Sequence, residues 1–271
     1  MNPGLVNPTR KDSFMAKFLR RRYAITSRAN EKMDWLKSLW TAQGIRKHGA
    51  CLVFGAKIVK EVLVKKRPRI LCEILREGEP TVADQGDIFQ LSRTLFSEID
   101  EMGTGSPCLA VEAPPLLPRH EFQAPTGLEL ICPFTDPQNL GAVARSSVGF
   151  GLQKIHLTKE SAHPFLPRAI RASAGTVFDL QFSEGPPLAE VDIHFTSKAP
   201  HLALDMKGSP IDQVHWSKDM YLLLGEEGRG LPAGLSVTRA TIPIAGTESL
   251  NAAVAAAIAI YVYRKAHPAG Y

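Results

Sequence analysis

The chain has 271 residues, of which 44% are hydrophobic, 22% charged and 7% aromatic. This composition supports one large domain or two smaller ones and excludes a disordered or fibrous chain. The formal net charge is +5, but residues 1–70 carry 17 Lys and Arg against 4 Asp and Glu, a balance of +13 that favours a polyanionic partner or a solvated basic surface.

Two further absences narrow the class of protein. No stretch of 18 apolar residues occurs, so no membrane span is predicted, and residues 1–22 are basic without the apolar core of a secretory signal. Four cysteines lie more than 20 residues apart: Cys51, Cys72, Cys108 and Cys132. This spacing predicts neither a metal site nor a disulfide framework, and we expect reduced thiols in a cytoplasmic protein.

The first half of the chain predicts a small α/β unit. Asn30 is placed to cap a helix that ends near Gly44, and its apolar residues follow helical spacing. A strand at 51–54, a helix around 58–63 and a strand at 70–76 follow. Prolines crowd residues 112–126 and exclude a helix or central strand there, so we predict a linker.

The second half alternates predicted strands with helices. Several of the strands are continuous apolar runs, which are typical of a buried, mostly parallel sheet with helices on both faces. The predicted strands cover residues 128–134, 154–158, 177–182, 191–195, 201–205, 220–225 and 240–245.

A first motif, residues 136–151, follows the strand at 128–134. Asp136 and Pro137 are typical of a helix start, which places Asn139 at the mouth of the fold. Gly141 lies one turn before Arg145 and leaves space for a ligand or partner to approach the guanidinium, a good fork for phosphate or carboxylate. A surface arginine with a structural asparagine is the alternative interpretation.

A second motif, residues 222–232, joins an apolar strand to a loop with Gly225, Gly228 and Gly230. Glycines let the backbone approach a ligand closely, and Glu226 stands at the strand's carboxyl end, where ligands bind in open α/β sheets. The motif matches neither a P-loop nor the dinucleotide fingerprint, which argues against a nucleotide-dependent oxidoreductase. A tight turn without a ligand is the alternative.

A third motif, residues 241–265, leads a strand into an alanine-rich helix. Ser249 is predicted to cap this helix, and Arg264 and Lys265 complement its C-terminal dipole. The small side chains permit close packing against another element. Ser249 and Asn251 could equally serve as caps alone.

Four short patterns occur in a specific order and together resemble the SpoU (TrmH) family of SPOUT methyltransferases over residues 127–265. In chain order they are N-x-G-A-x-x-R, G-E-x-G-x-G-L, I-P-I and E-S-L-N. Residues 25–63 are similar to the family's L30e-like RNA-binding domain. The resemblance implies an α/β fold with a trefoil-knotted, mostly parallel sheet, preceded by a smaller L30e-like α/β domain. The implied organisation is a basic extension (1–22), an RNA substrate-binding domain (23–112), a proline-rich linker (113–126) and a catalytic domain (127–271).

The resemblance further implies methyl transfer from S-adenosylmethionine to a ribose 2'-hydroxyl of RNA by a homodimer. No metal is expected, because neither the histidines nor the cysteines have the spacing of metal ligands. The implied catalytic residues are Arg145, contributed by the other subunit, with Asn139, Glu226, Ser249 and Asn251. The implied cofactor-binding residues are Gly225, Ile242, Ile244 and Leu250. The segment before the E-S-L-N group is one residue shorter than is common in the family, which leaves the choice between Ile242 and Ile244 open.

The predicted substrate is 23S-type ribosomal RNA, because family members with the L30e-like domain mostly modify it. A tRNA ribose methyltransferase and an inactive RNA-binding protein of the same fold are the alternatives. Basic residues expected to contact RNA are Arg20, Arg21, Arg22, Arg28, Arg46 and Lys47.

Overall fold

The structure is a computed structural model that describes residues 20–105, 107–118, 124–194, 200–226 and 228–268. Most of the predicted basic extension, residues 1–19, lies outside the described residues. Within the described part of the chain, no helix is long and apolar enough to cross a membrane.

The first half forms a mixed five-stranded sheet of order β1-β4-β3-β5-β2. Its strands are β1 (Arg22–Ile25), β2 (Ala50–Val53), β3 (Ile70–Arg76), β4 (Asp87–Leu91) and β5 (Cys108–Glu112). Its helices are α1 (Glu31–Ser38), α2 (Ala42–His48), α3 (Ala56–Lys65) and α4 (Arg93–Ile99). The β1–β4 and β3–β4 pairs are parallel, whereas β5 runs antiparallel to β2 and β3.

The helix predicted to run from Asn30 to Gly44 is two helices. Asn30 caps α1 as expected, with its side-chain oxygen accepting from the Lys32 amide at 3.0 Å. Thr41 then caps α2, so Gly44 lies inside that helix instead of ending one. A Cβ at Gly44 would come 2.0 Å from the Ser38 carbonyl oxygen, so this glycine lets the two helices turn sharply against each other.

The second half forms a seven-stranded sheet of order β12-β10-β11-β7-β8-β9-β6, in which neighbouring strands pair in parallel. The strands are β6 (Leu117–Pro118), β7 (Leu128–Cys132), β8 (Lys154–Leu157), β9 (Gln181–Glu184), β10 (His201–Pro210), β11 (Met220–Leu223) and β12 (Arg239–Thr241). Three helices accompany them: α5 (Pro137–Gly149), α6 (Pro167–Ala172) and α7 (Ala252–Ala266). The mostly parallel sheet is the predicted one, and the trefoil knot stays a prediction.

Two predicted strands are wrong in whole or in part. Residues 191–195 were expected to be a strand, but Leu188–His194 is a 3₁₀ segment, and Phe195 lies outside the described residues. Leu188 and Val191 are buried and lie three residues apart, the repeat of a 3₁₀ helix. Residues 177–182 begin as a second 3₁₀ turn (Thr176–Asp179) and become a strand only at β9.

Gly141 does not open space beside Arg145, contrary to the sequence-based expectation. A Cβ at this position would lie 2.4 Å from the Ala169 carbonyl oxygen and 2.8 Å from the Ala172 Cβ. The missing side chain therefore lets α5 cross α6 at close range. The start of α5 is as predicted, because the Asp136 side chain accepts from the Gln138 amide at 2.9 Å.

The two sheets share one apolar cluster, while a second cluster of buried side chains lies within the first half alone. Buried side chains of the first half, including Val53 and Ile58, belong to the same cluster as Ile170 and Val177 of the second. Two ion pairs also join the halves: Arg46 Nη2 lies 2.7 Å from Glu184 Oε1, and Lys65 Nζ lies 2.7 Å from Asp179 Oδ2. The proline-rich segment adds β6 at the sheet edge, where proline is tolerated.

Candidate functional site

A cavity of about 620 Å³ opens at the carboxyl ends of β7, β11 and β12 and beside the middle of β10. This is the edge at which open α/β sheets bind ligands, and the volume lies in the range of small-molecule sites. Eight of the predicted site residues line it: Asn139, Gly225, Glu226, Ile242, Ile244, Ser249, Leu250 and Asn251. All three sequence motifs therefore contribute side chains or backbone to one cavity.

The glycine loop after β11 is closed by its own backbone. The Glu226 and Gly230 amides each donate to the other's carbonyl at 2.9 Å. A Cβ at Gly225 would approach the Gly230 backbone to 3.1 Å, a tight contact that a side chain would relieve only if the loop shifted. This tight loop presents Glu226 to the cavity, while the neighbouring Glu227 lies outside the described residues.

The segment after β12 forms an apolar and hydroxyl-bearing wall. The strand ends at Thr241 instead of Ala245, so Ile242 and Ile244 leave the sheet and line the cavity. Gly246 has φ +92°, a backbone conformation that favours glycine, and it turns the chain back toward Ser249. Ile242 also packs on the main core, whereas Ile244 is 38% exposed.

The cap of α7 is Asn251, and the predicted Ser249 cap is wrong. Asn251 Oδ1 accepts from the Ala253 and Val254 amides at 2.9 and 3.2 Å. Its Nδ2 donates to Asn139 Oδ1 at 3.1 Å. One asparagine thus fixes the start of α7 and holds the first motif against the third, while the exposed Ser249 hydroxyl lines the cavity.

Arg145 lies apart from these residues. It is exposed on α5 and does not line the cavity of its own chain. Arg145 follows Asn139 by six positions, which places it about 9 Å further along the helix and about 120° around it. In this chain's structure, therefore, Arg145 and Asn139 occupy different faces of the same helix.

The cavity suits S-adenosylmethionine in its chemistry. Backbone groups of the glycine loop can approach a ligand closely, and Ile242 and Leu250 offer an apolar surface for an adenine ring. Glu226 supplies a carboxylate on the wall, which is compatible with a cationic sulfonium. Within the described ranges, no group of three or more His, Cys, Asp or Glu side chains could hold a metal ion.

The cavity lining also includes residues that were not predicted. Asp205, Met206 and Lys207 come from β10, Arg229 from the glycine loop and Arg239 from β12. Asp205 Oδ2 accepts from Arg239 Nη1 at 2.7 Å, so two of these charges pair with each other. The signal in the sequence is the change from apolar to charged residues at the end of the strand predicted at 201–205.

A buried polar row crosses β7, β8 and β9 outside the cavity lining. His156 Nε2 lies 2.6 Å from Glu129 Oε2, and His156 Nδ1 lies 2.5 Å from Ser183 Oγ. Burial raises the pKa of Glu129, but hydrogen bonds from His156, the Thr126 amide and Lys154 outweigh it and lower the pKa to about 2. This row was not predicted, because its members lie far apart along the chain.

The basic residues predicted to contact RNA fall into three groups. Arg20 belongs to the interior, since its guanidinium donates to Glu73 and to the Gly86 and Ala83 carbonyls, and we no longer assign it to RNA. Exposed ion pairs engage three others: Arg21 with Asp87, Arg28 with Glu98 and Arg46 with Glu184. Arg22 and Lys47 are exposed, and neither forms an ion pair with another described residue.

Fold and cavity together define an α/β protein with a cavity of small-molecule size at the edge of its parallel sheet. The SpoU rRNA Methylase family model matches residues 130–261. The chain is 30% identical over 250 residues to the 23S rRNA (guanosine(2553)-2'-O)-methyltransferase RlmP of Bacillus subtilis (strain 168), covering 89% of this chain and 98% of that protein. It is 36% identical over 247 residues to ribosomal RNA small subunit methyltransferase G 2 of Syntrophobacter fumaroxidans, covering 89% of this chain.

The chain spans about half, 49%, of the length of that Syntrophobacter protein. Among solved structures, an AdoMet-bound rRNA methyltransferase from Sinorhizobium meliloti has the same fold, with a TM-score of 0.72 at 23% identity over 92% of this chain and 99% of that chain. The chain belongs to the SpoU family of RNA methyltransferases. The predicted family, the mostly parallel α/β fold class and the class of RNA methyltransferase are thereby confirmed. The predicted cofactor is the one bound in the Sinorhizobium structure.

Proposed function

We propose that this chain methylates a ribose 2'-hydroxyl of large-subunit, 23S-type ribosomal RNA in the cytoplasm. The observation that carries the proposal is the convergence of the three motifs on one cavity, joined by the Asn139–Asn251 hydrogen bond. The relative RlmP, which this chain matches over nearly its whole length, is named for 2'-O-methylation of 23S rRNA. The four free cysteines are all buried, which suits a reducing compartment.

S-adenosylmethionine supplies an activated methyl group, so the protein's task is to position and polarise the ribose hydroxyl. We assign cofactor binding to Gly225, Ile242, Ile244 and Leu250. Asn139, Glu226, Ser249 and Asn251 form the polar wall that orients the ribose. This wall contains one carboxylate among the predicted residues, that of Glu226, and its amides and hydroxyl can donate or accept hydrogen bonds.

Arg145 is assigned to the site of the partner subunit. Its position outside its own cavity supports an action in trans. An arginine stays protonated at neutral pH, so it acts by stabilising the developing alkoxide and not as a general base. The hydroxyl proton then passes to another acceptor, for which an RNA phosphate is our choice.

A homodimer follows from this assignment, and the outer face of α7 supports it. Val254 and Tyr261 on this helix are 49% and 55% exposed, and the Tyr261 ring contacts Phe150 at 6.1 Å between centroids. Two turns of apolar surface beside α5 therefore face outward. A second copy of the chain would cover this surface and bring its Arg145 near the cavity.

Transfer of labelled methyl groups to purified rRNA and tRNA, with ribose-methylation mapping, tests the proposal. We expect one 2'-O-methyl site in 23S rRNA and a kcat about 100- to 1000-fold lower for Arg145→Ala, because one electrostatic contact to the reacting oxygen is lost. S-adenosylmethionine affinity should not change. Labelling of tRNA alone would favour the tRNA alternative, and absence of transfer despite cofactor binding would favour an inactive RNA-binding protein.

Mixed dimers test the action in trans. Arg145→Ala and Asn251→Ala homodimers should both be nearly inactive. After subunit exchange, a heterodimer carries one site with all of its residues, so activity should reappear. No recovery in a verified heterodimer would contradict the assignment of Arg145 to the partner's site.

A further inference from the structure

A bulge in β10 forms part of the cavity wall. Leu204 and Ser209 both pair with Ala240 of β12, so residues 205–208 have no partner in that strand. The cavity lining includes Asp205, Met206 and Lys207. Bulges are common beside active sites because they redirect side chains out of a regular strand. This one turns Lys207 toward the cavity.

The sequence of the bulge fixes its shape. Asp205 Oδ1 accepts from the Lys207 amide at 3.1 Å, and Oδ2 accepts from Arg239 Nη1 at 2.7 Å. At Gly208 a Cβ would lie 2.5 Å from the Arg239 carbonyl carbon, so no larger residue could return the chain to β12. A carboxylate, a guanidinium and a glycine thus hold the loop in one position.

The charges in this part of the cavity do not all cancel within the protein. Asp205 neutralises Arg239. Lys207 in the bulge of β10 and Arg229 in the loop after β11 are both exposed and line the same cavity, and these two strands are neighbours in the sheet. Neither has an ion-pair partner anywhere in the described ranges. Two cationic side chains are therefore available for an anionic ligand.

We propose that Lys207 and Arg229 bind RNA backbone phosphate at the mouth of the cavity and hold the target nucleotide against the cofactor. The inference rests on the proposed function and adds two substrate-binding residues to it. Phosphate is the anion that an RNA substrate brings beside every ribose. The carboxylate of S-adenosylmethionine is the other anionic group with the same chemistry, and the experiment separates the two.

The test compares Lys207→Gln, Arg229→Gln and the double variant with Lys218→Gln. Lys218 is exposed at the opposite, amino end of β11 and serves as the matched charge control. Binding to an unmodified 23S rRNA transcript is measured from about 50 to about 200 mM salt, a range over which the loss of affinity reports the number of phosphate contacts. Calorimetry gives S-adenosylmethionine affinity, and methyl transfer gives KM and kcat.

We expect each single variant to lower the slope of log affinity against log salt by about 1 and to raise the KM for RNA about tenfold. S-adenosylmethionine affinity should stay unchanged, and Lys207→Arg and Arg229→Lys should restore RNA binding. Lys218→Gln should behave as the unmodified chain.

An unchanged salt slope in the double variant would overturn the inference. So would a loss of S-adenosylmethionine affinity with RNA binding intact, which would assign both cations to the cofactor carboxylate. The binding measurements need no turnover, so they decide this inference even if the proposed methyl transfer fails. Conversely, normal methylation by all variants would overturn this inference and leave the proposed function standing.

Discussion

The row Glu129–His156–Ser183 links three strands out of contact with solvent, because His156 bonds both to Glu129 and to Ser183. Glu129 and His156 are each 2% exposed, and Lys154 Nζ adds a contact of 3.1 Å to Glu129 Oε1. A carboxylate at this position is stable only because these groups compensate for its lost hydration. The buried row Glu129–His156–Ser183 therefore contributes stability that depends on ionisation.

Because the pKa of Glu129 is lower in the folded chain, its contribution is present above about pH 4.5 and is lost as the pH falls toward 2. Glu129→Gln should lower the free energy of unfolding at pH 7 by about 1–3 kcal/mol, since buried hydrogen-bond donors lose their charged acceptor. Urea unfolding at a series of pH values measures both effects. Acid sensitivity should be weaker in the variant.

Ser183→Ala is the matched control for that experiment. It removes a hydrogen bond to His156 and no charge, so it should cost about 1–2 kcal/mol and leave the acid sensitivity of Glu129 in place. Equal pH dependence in the unmodified chain and Glu129→Gln would contradict an ionised, compensated Glu129.

Among the helices, the crossing of α5 and α6 depends on one missing side chain. Gly141→Ala should lower stability by about 1–3 kcal/mol through overpacking, although alanine favours a helix by about 1 kcal/mol. Gly149→Ala in the same helix has no heavy atom within 4 Å of its added Cβ and should stabilise. Urea midpoints compare the two, and a stable Gly141→Ala would show that the helices separate without cost.

Helices and strands were predictable where the local sequence pattern was strong. The predictions were wrong where tertiary packing determined the secondary structure. The caps at Asn30 and Asp136 and the parallel apolar strands follow from short-range rules. The split at Thr41 and the 3₁₀ segment Leu188–His194 depend on what the residues touch. The alternating apolar and polar residues at 191–195 match a short strand in sequence. Only tertiary packing distinguishes such a strand from the 3₁₀ segment.

For the whole molecule, the decisive test is assembly. Light scattering should give twice the 29.6 kDa chain mass, and Tyr261→Arg should give monomers without methyl transfer, because a charge would be buried in the apolar face of α7. Val64→Arg is the control, since Val64 is 74% exposed on α3 outside that face. An active monomer would contradict both the dimer and the action of Arg145 in trans.

The sequence motifs predicted part of the cavity lining, but not all of it. Eight of the predicted residues meet there because carboxyl ends of parallel strands share one edge. The bulge of β10 and the Asp205–Arg239 pair escaped prediction, since both depend on register between strands. Arg20 was misassigned because its acidic partner, Glu73, lies 53 residues away in sequence.

The apolar cluster shared by the two sheets fixes the distance between the two halves of the molecule. If the first half binds RNA and the second half carries out the reaction, the packed side chains set the distance between these two sites. A flexible linker would leave that distance variable. The enzyme would then select its nucleotide by how far it lies from a structural landmark in the RNA. Base identity would then matter less for the choice of nucleotide than the shape of the RNA between the two sites.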